Sequence, residues 1–304
     1  MSKIFEALQR MQVDLKSAPK AGSSDAGSSD AGARQDAPVP PPAPAPAQSR
    51  SPIEEDGGAG AAEHATARVL PLRVSLSAPL FPFDQDHWYA GEQYKIIRTK
   101  INQHPRQPRL IAISSAGSAD GKSITAINLA AALSLNAGAR VLLMDGDFRR
   151  STIHLQLGLP EGPGLLDLLA GASTMEDSLI RAQQYPNLFI LPAGATRNNP
   201  AELLGSPRWT KLARSLRESF DFIIVDTPPI SAVADYDLIV AAADAVVVVV
   251  RPDHTNRKAL LRALDSIDPG KSLGVILNYI PDWFLGGSQA YYSHYEYRGH
   301  LGNS

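Results

Sequence analysis

The chain lacks cysteine, a strong excess of charge of either sign, and any hydrophobic run long enough to cross a membrane. Without cysteine it cannot form a disulfide, a thiolate metal site or a thiol redox motif. Its 29 basic and 31 acidic residues leave a net charge of −2, so we expect no general attraction to nucleic acid. The longest strongly apolar run, Ala245 to Val250, falls far short of the roughly 20 residues that a spanning helix needs.

The first residues also lack the charged, apolar and cleavable regions of a signal peptide. We therefore expect a cytoplasmic protein that needs another protein to hold it at a membrane. With 304 residues, 44% of them hydrophobic, the chain can build one large α/β domain with appendages.

Composition divides the chain into four expected segments, 1–15, 16–83, 84–283 and 284–304. In the first, apolar residues recur at helical spacing, which predicts an amphipathic helix that docks on its own domain or binds a partner. In the second, Ala, Gly, Ser and Pro dominate as far as about Thr66, which is typical of a disordered linker. We expect the folded domain to follow from residue 84 and to end in a flexible tail.

Six apolar segments of the folded domain alternate with helical stretches, and this alternation predicts a mostly parallel sheet with helices on both faces. The predicted strands are Leu110–Ser114, Val141–Met144, Leu188–Leu191, Phe222–Val225, Ala245–Val250 and Leu273–Leu277. The run Val246 to Val250 shows no polar alternation, as expected of a strand that is buried on both faces.

A phosphate-binding loop joins the first predicted strand to a helix-forming stretch, Ile124 to Leu135, which is the context that this motif requires. The loop ends in Gly-Lys-Ser and begins with alanine where the motif has glycine. It indicates an α/β fold of the P-loop NTPase type. The residues expected to bind the nucleotide are Ala116, Gly117, Ser118, Ala119, Asp120, Gly121, Lys122, Ser123 and Ile124.

Three aspartates follow predicted strands, at the sheet edge where ligands of such folds bind. Asp145 and Asp147 are two residues apart, so an extended backbone would point both carboxylates the same way, toward a metal and a proton to be accepted. Alternatively, one of them caps the next element or pairs with Arg149 or Arg150. Asp226 has the position of an acidic residue that holds Mg²⁺ through water.

Four of the nine tyrosines lie within seven residues near the C-terminus. They are Tyr291, Tyr292, Tyr295 and Tyr297. No helix or strand period explains the cluster, and the glycines around it favour a mobile tail over an aromatic segment packed on the domain. Such a tail would offer phenols, which need a nearby base to attack phosphorus.

Together these features resemble the bacterial tyrosine kinases of capsule and exopolysaccharide synthesis, in their cytoplasmic, kinase-only form. The resemblance covers roughly residue 84 to the C-terminus. It rests on the phosphate loop, on segments 142–150 and 225–229, and on the tyrosine-rich tail.

The resemblance implies an ATP-dependent, Mg²⁺-requiring protein-tyrosine autokinase that phosphorylates the tail tyrosines, usually between neighbouring subunits of a ring, and regulates polysaccharide production. It implies that Lys122 and Ser123 bind phosphate and metal, that Asp145 and Asp147 serve metal and base functions, and that Asp226 supports the metal. It also implies a transmembrane polysaccharide co-polymerase as activator, a cognate tyrosine phosphatase, and a location on the inner face of the cell membrane through that activator.

A helix motif and one strand-end residue also enter through the resemblance. Glu92, Lys95 and Arg98 are similar to the helix motif through which family members assemble, although Lys95 replaces an arginine and loses its planar, two-pronged hydrogen bonding. A solvated helix face is the alternative. Asn278 resembles the family's strand-end residue near the adenine.

Two other functions fit parts of the sequence. One is a partitioning or positioning ATPase of the deviant-Walker class, a nucleotide-dependent binding switch; those proteins carry an additional lysine where this chain has Gly117 and lack a tyrosine cluster. The other is a regulatory member that binds ATP and assembles but transfers little phosphate.

Overall fold

A computed structural model of the chain describes residues 67–195, 199–230 and 232–280. The predicted N-terminal helix and the four tail tyrosines lie outside these residues. Within them, no helix combines the length and the apolar character that crossing a membrane requires.

Eight strands and nine helices make up the described part of the chain. Strands β1 to β8 are Arg68–Leu70, Leu110–Ser115, Val141–Asp145, Ile180–Ala182, Leu188–Leu191, Phe222–Asp226, Ala245–Val250 and Ser272–Leu277. Helices α1 to α9 are Trp88–Asn102, Lys122–Ser134, Ile153–Gln156, Leu165–Ala170, Met175–Ser178, Pro200–Leu204, Pro207–Ser219, Ala234–Ala242 and Arg257–Ser266. A 3-10 turn at Phe81–Phe83 precedes α1.

All eight strands form one sheet in the order β1-β4-β5-β3-β6-β2-β7-β8. Every neighbouring pair is parallel except β4 and β5, which run antiparallel. All six predicted strands are present, and the predicted mostly parallel α/β fold is confirmed. Because β3, β6 and β2 are neighbours, the loops that follow them meet at one edge of the sheet.

Helices cover both faces of the sheet, each over its own apolar layer. The alanine-rich centre of α2 packs on one face, and α7, α8 and α9 pack on the other. Alternate residues of β7 enter the two layers, Val246 and Val248 on one side and Val247 and Val249 on the other. Its uninterrupted valines therefore fill a strand that is buried on both faces, as predicted.

The folded domain begins before Asp84, so the predicted boundary between linker and domain was wrong. Strand β1 pairs with β4 in parallel, and Leu72 and Leu80 are buried. The side chain of Gln184 accepts a hydrogen bond from the backbone N–H of Leu72 and donates one to its carbonyl. These contacts hold the segment between β1 and α1 in place. The sequence gave little sign of this, because the segment directly follows a stretch rich in small residues and proline.

Candidate functional site

The phosphate loop runs from the end of β2 to the start of α2, as predicted. Gly121 has a φ of 92° and is the N-cap of α2. A Cβ at this position would lie 1.8 Å from the Nδ2 atom of Asn278, so both the backbone angle and the space require glycine. The unpaired N–H groups at the start of α2 face the loop, where they can bind phosphate oxygens.

Asn278, predicted to lie near the base of the nucleotide, contacts the loop itself. Its Nδ2 atom donates a hydrogen bond of 3.1 Å to the carbonyl oxygen of Asp120. The end of β8 is thereby joined to the phosphate loop, which places Asn278 at the edge of the site.

Lys122 and Asp147 form an ion pair of 2.8 Å, with only 11% and 3% of their side chains exposed. Burial acts to lower the pKa of Lys122, but the charges of Asp226 and Asp147 outweigh it and raise that pKa. The side chain of Arg149 instead contacts Asp235, at 3.4 Å. The ion-pair partner of Asp147 is therefore the lysine of the phosphate loop, while the other carboxylate oxygen of Asp147 accepts a hydrogen bond of 3.2 Å from the backbone N–H of Arg150.

Asp145 lies opposite Asp226 in the register of β3 and β6. Its carboxylate accepts hydrogen bonds from the Ser151 hydroxyl at 2.9 Å, the Ile153 N–H at 3.3 Å and the Asp147 N–H at 3.2 Å. Burial raises its pKa to about 6. Asp145 thus binds the first N–H of α3, which is the capping role considered as an alternative, and still lies beside the other acidic groups.

Asp226 is fully buried, and neither of its carboxylate oxygens has a hydrogen-bond partner among the described residues. Burial raises its pKa to about 7, against the opposing effect of the Lys122 charge and the nearby Ser123 hydroxyl. A buried carboxylate without a partner is costly unless a cation neutralises it.

The donor set fits Mg²⁺. The Ser123 hydroxyl and the carboxylates of Asp145 and Asp226 would offer it oxygen ligands, which this ion prefers. Among the described residues no group of three or more His, Cys, Asp or Glu side chains is arranged as a complete metal cage. Mg²⁺ usually keeps several waters and takes substrate phosphates as further ligands, so a complete protein cage is not required.

Lys122, Ser123 and Asp147 line a cavity of about 420 Å³, within the usual size of a small-molecule site, while Asp145 and Asp226 are buried behind them. A second cavity of about 590 Å³ adjoins it, and both are lined by Arg149 and Arg150. The site therefore offers room for a nucleotide's phosphates and for a second group beside them.

The residues predicted to mediate assembly lie on α1. Lys95 and Glu92 form an ion pair of 2.7 Å with 35% and 48% of their side chains exposed. Arg98 donates to the carbonyl oxygen of Ala132 at 3.3 Å. Contacts between subunits stay a prediction.

Two contributors to the site gave no signal in the sequence. Ser151 binds Asp145, and Thr255 donates a hydrogen bond of 2.7 Å to Asp120 across 135 residues of chain. A single serine or threonine is common in any loop, and neither belongs to the motifs used above.

The fold and the phosphate loop define a P-loop nucleotide-binding protein, and residues 108–270 match the AAA domain family. The chain is 32% identical over 230 residues to "Putative tyrosine-protein kinase CapB" of Staphylococcus aureus, which covers 74% of this chain and 99% of that protein. It is 38% identical over 192 residues to "Tyrosine-protein kinase YwqD" of Bacillus subtilis (strain 168), 62% of this chain and 80% of that one.

Among solved structures, the crystal structure of the chimerical protein CapA2B2 is similar with a TM-score of 0.63 and 33% identity, covering 69% of this chain and 92% of that one. Within the P-loop class, the chain belongs to the bacterial tyrosine-protein kinases. Membership of this family favours the kinase prediction over the partitioning ATPase.

Proposed function

We propose that the chain is an ATP-dependent protein-tyrosine autokinase that phosphorylates Tyr291, Tyr292, Tyr295 and Tyr297 and thereby regulates capsular or exopolysaccharide synthesis and export. The observation that carries the proposal is that the Lys122–Asp147 ion pair lies near the buried Asp226, whose carboxylate accepts no hydrogen bond from the described residues, beside the phosphate loop. The similarity to relatives that are named tyrosine-protein kinases supports the proposal.

Lys122 is the group that meets the negative charge of the nucleotide. Its ammonium forms an ion pair with Asp147. Phosphate oxygens near the start of α2 would compete for this ammonium, and Asp147 would then be free to accept the proton of a tyrosine hydroxyl. This exchange of partners at Lys122 makes Asp147 available as the base when ATP, the phosphate donor, is bound.

Ser123, Asp145 and Asp226 are the residues that would hold Mg²⁺. The ion supplies neutralisation of the phosphate charge. The buried carboxylates of Asp226 and Asp145 would gain a second positive neighbour beside Lys122, whose charge already acts on both of them.

The first experiment incubates the purified full-length chain with ATP and Mg²⁺ and locates phosphotyrosine by mass spectrometry. Wild type should carry it within residues 291–297, and the variant with all four tyrosines changed to Phe should lose most of it. Lys122→Met should abolish the signal. ATP hydrolysis without phosphotyrosine, with or without a membrane activator, would instead establish the binding-switch ATPase.

Asp147→Asn tests the base. The substitution keeps the size of the side chain, removes proton acceptance, and should lower the rate of phosphotyrosine formation by about a hundredfold or more. Asp221→Asn is the matched control, because Asp221 binds the Arg140 N–H near the start of β3, at the opposite end of that strand. Equal rates for wild type and Asp147→Asn would remove Asp147 as the base.

The proposal includes partners that follow the family resemblance. A transmembrane polysaccharide co-polymerase would activate the kinase and hold it at the inner face of the membrane, a phosphatase would reverse the modification, and subunits would assemble as a ring. Recovery of full-length protein and of a version lacking residues 1–66 from membranes of the source cell separates the parts of the chain that bind. Equal recovery would show that the N-terminal segment has no part in it.

A further inference from the structure

Asp120 is the most buried side chain of the phosphate loop, with 1% of its surface exposed. One carboxylate oxygen accepts a hydrogen bond of 3.2 Å from the Gly117 N–H. The other accepts one of 2.7 Å from the Thr255 hydroxyl. The carboxylate therefore joins the start of the loop to the segment between β7 and α9.

That segment is itself held in place. The Thr255 hydroxyl accepts a hydrogen bond of 2.8 Å from the Arg251 N–H, so its single proton is directed at Asp120. In its Nε2–H tautomer, His254 donates to the Ser118 carbonyl at 3.2 Å. Two consecutive residues of this turn thus contact two residues of the phosphate loop.

The loop needs such support because part of its backbone is strained. Ala119 has a φ of 63°, a left-handed conformation that is unfavourable for residues other than glycine. Strained backbone persists only where surrounding contacts fix it. Asp120, next in the chain, carries those contacts.

We propose that Thr255 is a positioning residue for nucleotide binding, which acts through Asp120 to hold the phosphate loop in its binding shape before the ligand arrives. The inference rests on the proposed function only for the identity of the ligand. A preformed loop lowers the entropy lost on binding. The loop would contact phosphates in the ground state and the transition state alike. A loop that is less well ordered because the Thr255 contact is lost should therefore raise KM more than it lowers kcat.

The test compares three variants of the full-length chain. Thr255→Val keeps the shape of the side chain and removes the hydroxyl, Thr255→Ser restores the hydroxyl, and Thr174→Val removes a threonine N-cap from the distant helix α5. Calorimetric titration with ADP and Mg²⁺ gives the dissociation constant, thermal unfolding without ligand gives stability, and phosphotyrosine formation at varied ATP gives KM and kcat.

Thr255→Val should bind ADP about tenfold more weakly, which corresponds to about 1.4 kcal/mol. It should raise the KM for ATP by a similar factor and change kcat less than threefold. Thr255→Ser should return affinity to near the wild-type value. Thr174→Val should lower the unfolding temperature and leave ADP affinity unchanged, which separates positioning from a general loss of stability.

Unchanged ADP affinity in Thr255→Val would overturn the positioning role, and so would equal weakening in Thr174→Val. Binding of ADP does not require phosphate transfer. A wild-type chain that binds ADP but forms no phosphotyrosine would therefore contradict the proposed kinase and still test Thr255. A wild-type chain that does not bind ADP would overturn both.

Discussion

At the scale of single residues, the negative charge buried in the candidate site is only partly balanced by the positive charge of nearby side chains. Asp145 and Asp226 face each other from neighbouring strands, and burial raises the pKa of each, to about 6 and about 7. The one lysine that reaches them is already paired with Asp147. A bound cation would therefore reduce the cost of burying these two carboxylates.

Asp226→Asn should stabilise the unliganded protein in a pH-dependent way. A carboxylate whose folded pKa lies above its unfolded pKa contributes stability that is full below the unfolded value and lost as the pH rises through the folded value, here about 7. In urea unfolding without Mg²⁺, the free energy of unfolding of the variant should therefore exceed that of wild type by about 4 kcal/mol at pH 8 and by much less at pH 5.

Asp226→Asn should also be stabilised less than wild type when ligand binds. Mg²⁺ with ADP should raise the unfolding temperature of wild type by several degrees more than that of Asp226→Asn. A variant that is less stable than wild type at pH 8, or that gains equally at both pH values, would show that Asp226 is not buried as an unpaired charge.

At the scale of secondary-structure elements, strands with a continuous apolar sequence were predictable and short ones were not. The valines of β7 indicated a buried strand, and the aspartates that end β3 and β6 indicated the edge of the sheet at which the candidate site lies. Strands β1 and β4 have only three residues each, and 58% of Val69 is exposed, so neither shows a pattern of its own. These two strands are formed because they pair with each other across more than a hundred residues of chain. The local sequence gives no sign of such a distant pairing.

Strand β1 and the segment after it should be necessary for stability. A chain that begins at His64 keeps β1, Leu72 and Leu80, whereas a chain that begins at Asp84 exposes the surfaces they cover. Burial of two leucines contributes about 3 to 6 kcal/mol, so the shorter chain should unfold at a temperature at least 10 °C lower, measured by circular dichroism. Equal melting would mean that the segment packs without stabilising the domain.

At the scale of the whole molecule, the helix that is predicted to mediate assembly has its charges engaged within the chain. Lys95 pairs with Glu92 and Arg98 contacts Ala132, so subunits that use these side chains must compete with internal contacts. The exposed pair is weak, about 0.5 kcal/mol, and does not prevent such exchange.

Lys95→Arg should strengthen self-association. The substitution restores the planar group that binds carboxylates with two parallel hydrogen bonds, and sedimentation velocity should show the oligomer at about tenfold lower protein concentration. Lys211→Arg on α7 is the control, because it makes the same chemical change on an exposed residue of another helix. Association that responds equally to both substitutions would point to a general effect of charge and not to this helix.

The strand order also fixes where the chain enters and leaves the domain. Strand β1 forms one border of the sheet and β8 the other, and seven strand spacings separate them by about 34 Å. Fluorescent dyes attached at Ala67 and Ile280 would thus be held at a fixed separation that is suited to energy transfer. With one dye moved into the tyrosine cluster, the transfer efficiency would measure the distance between that cluster and Ala67.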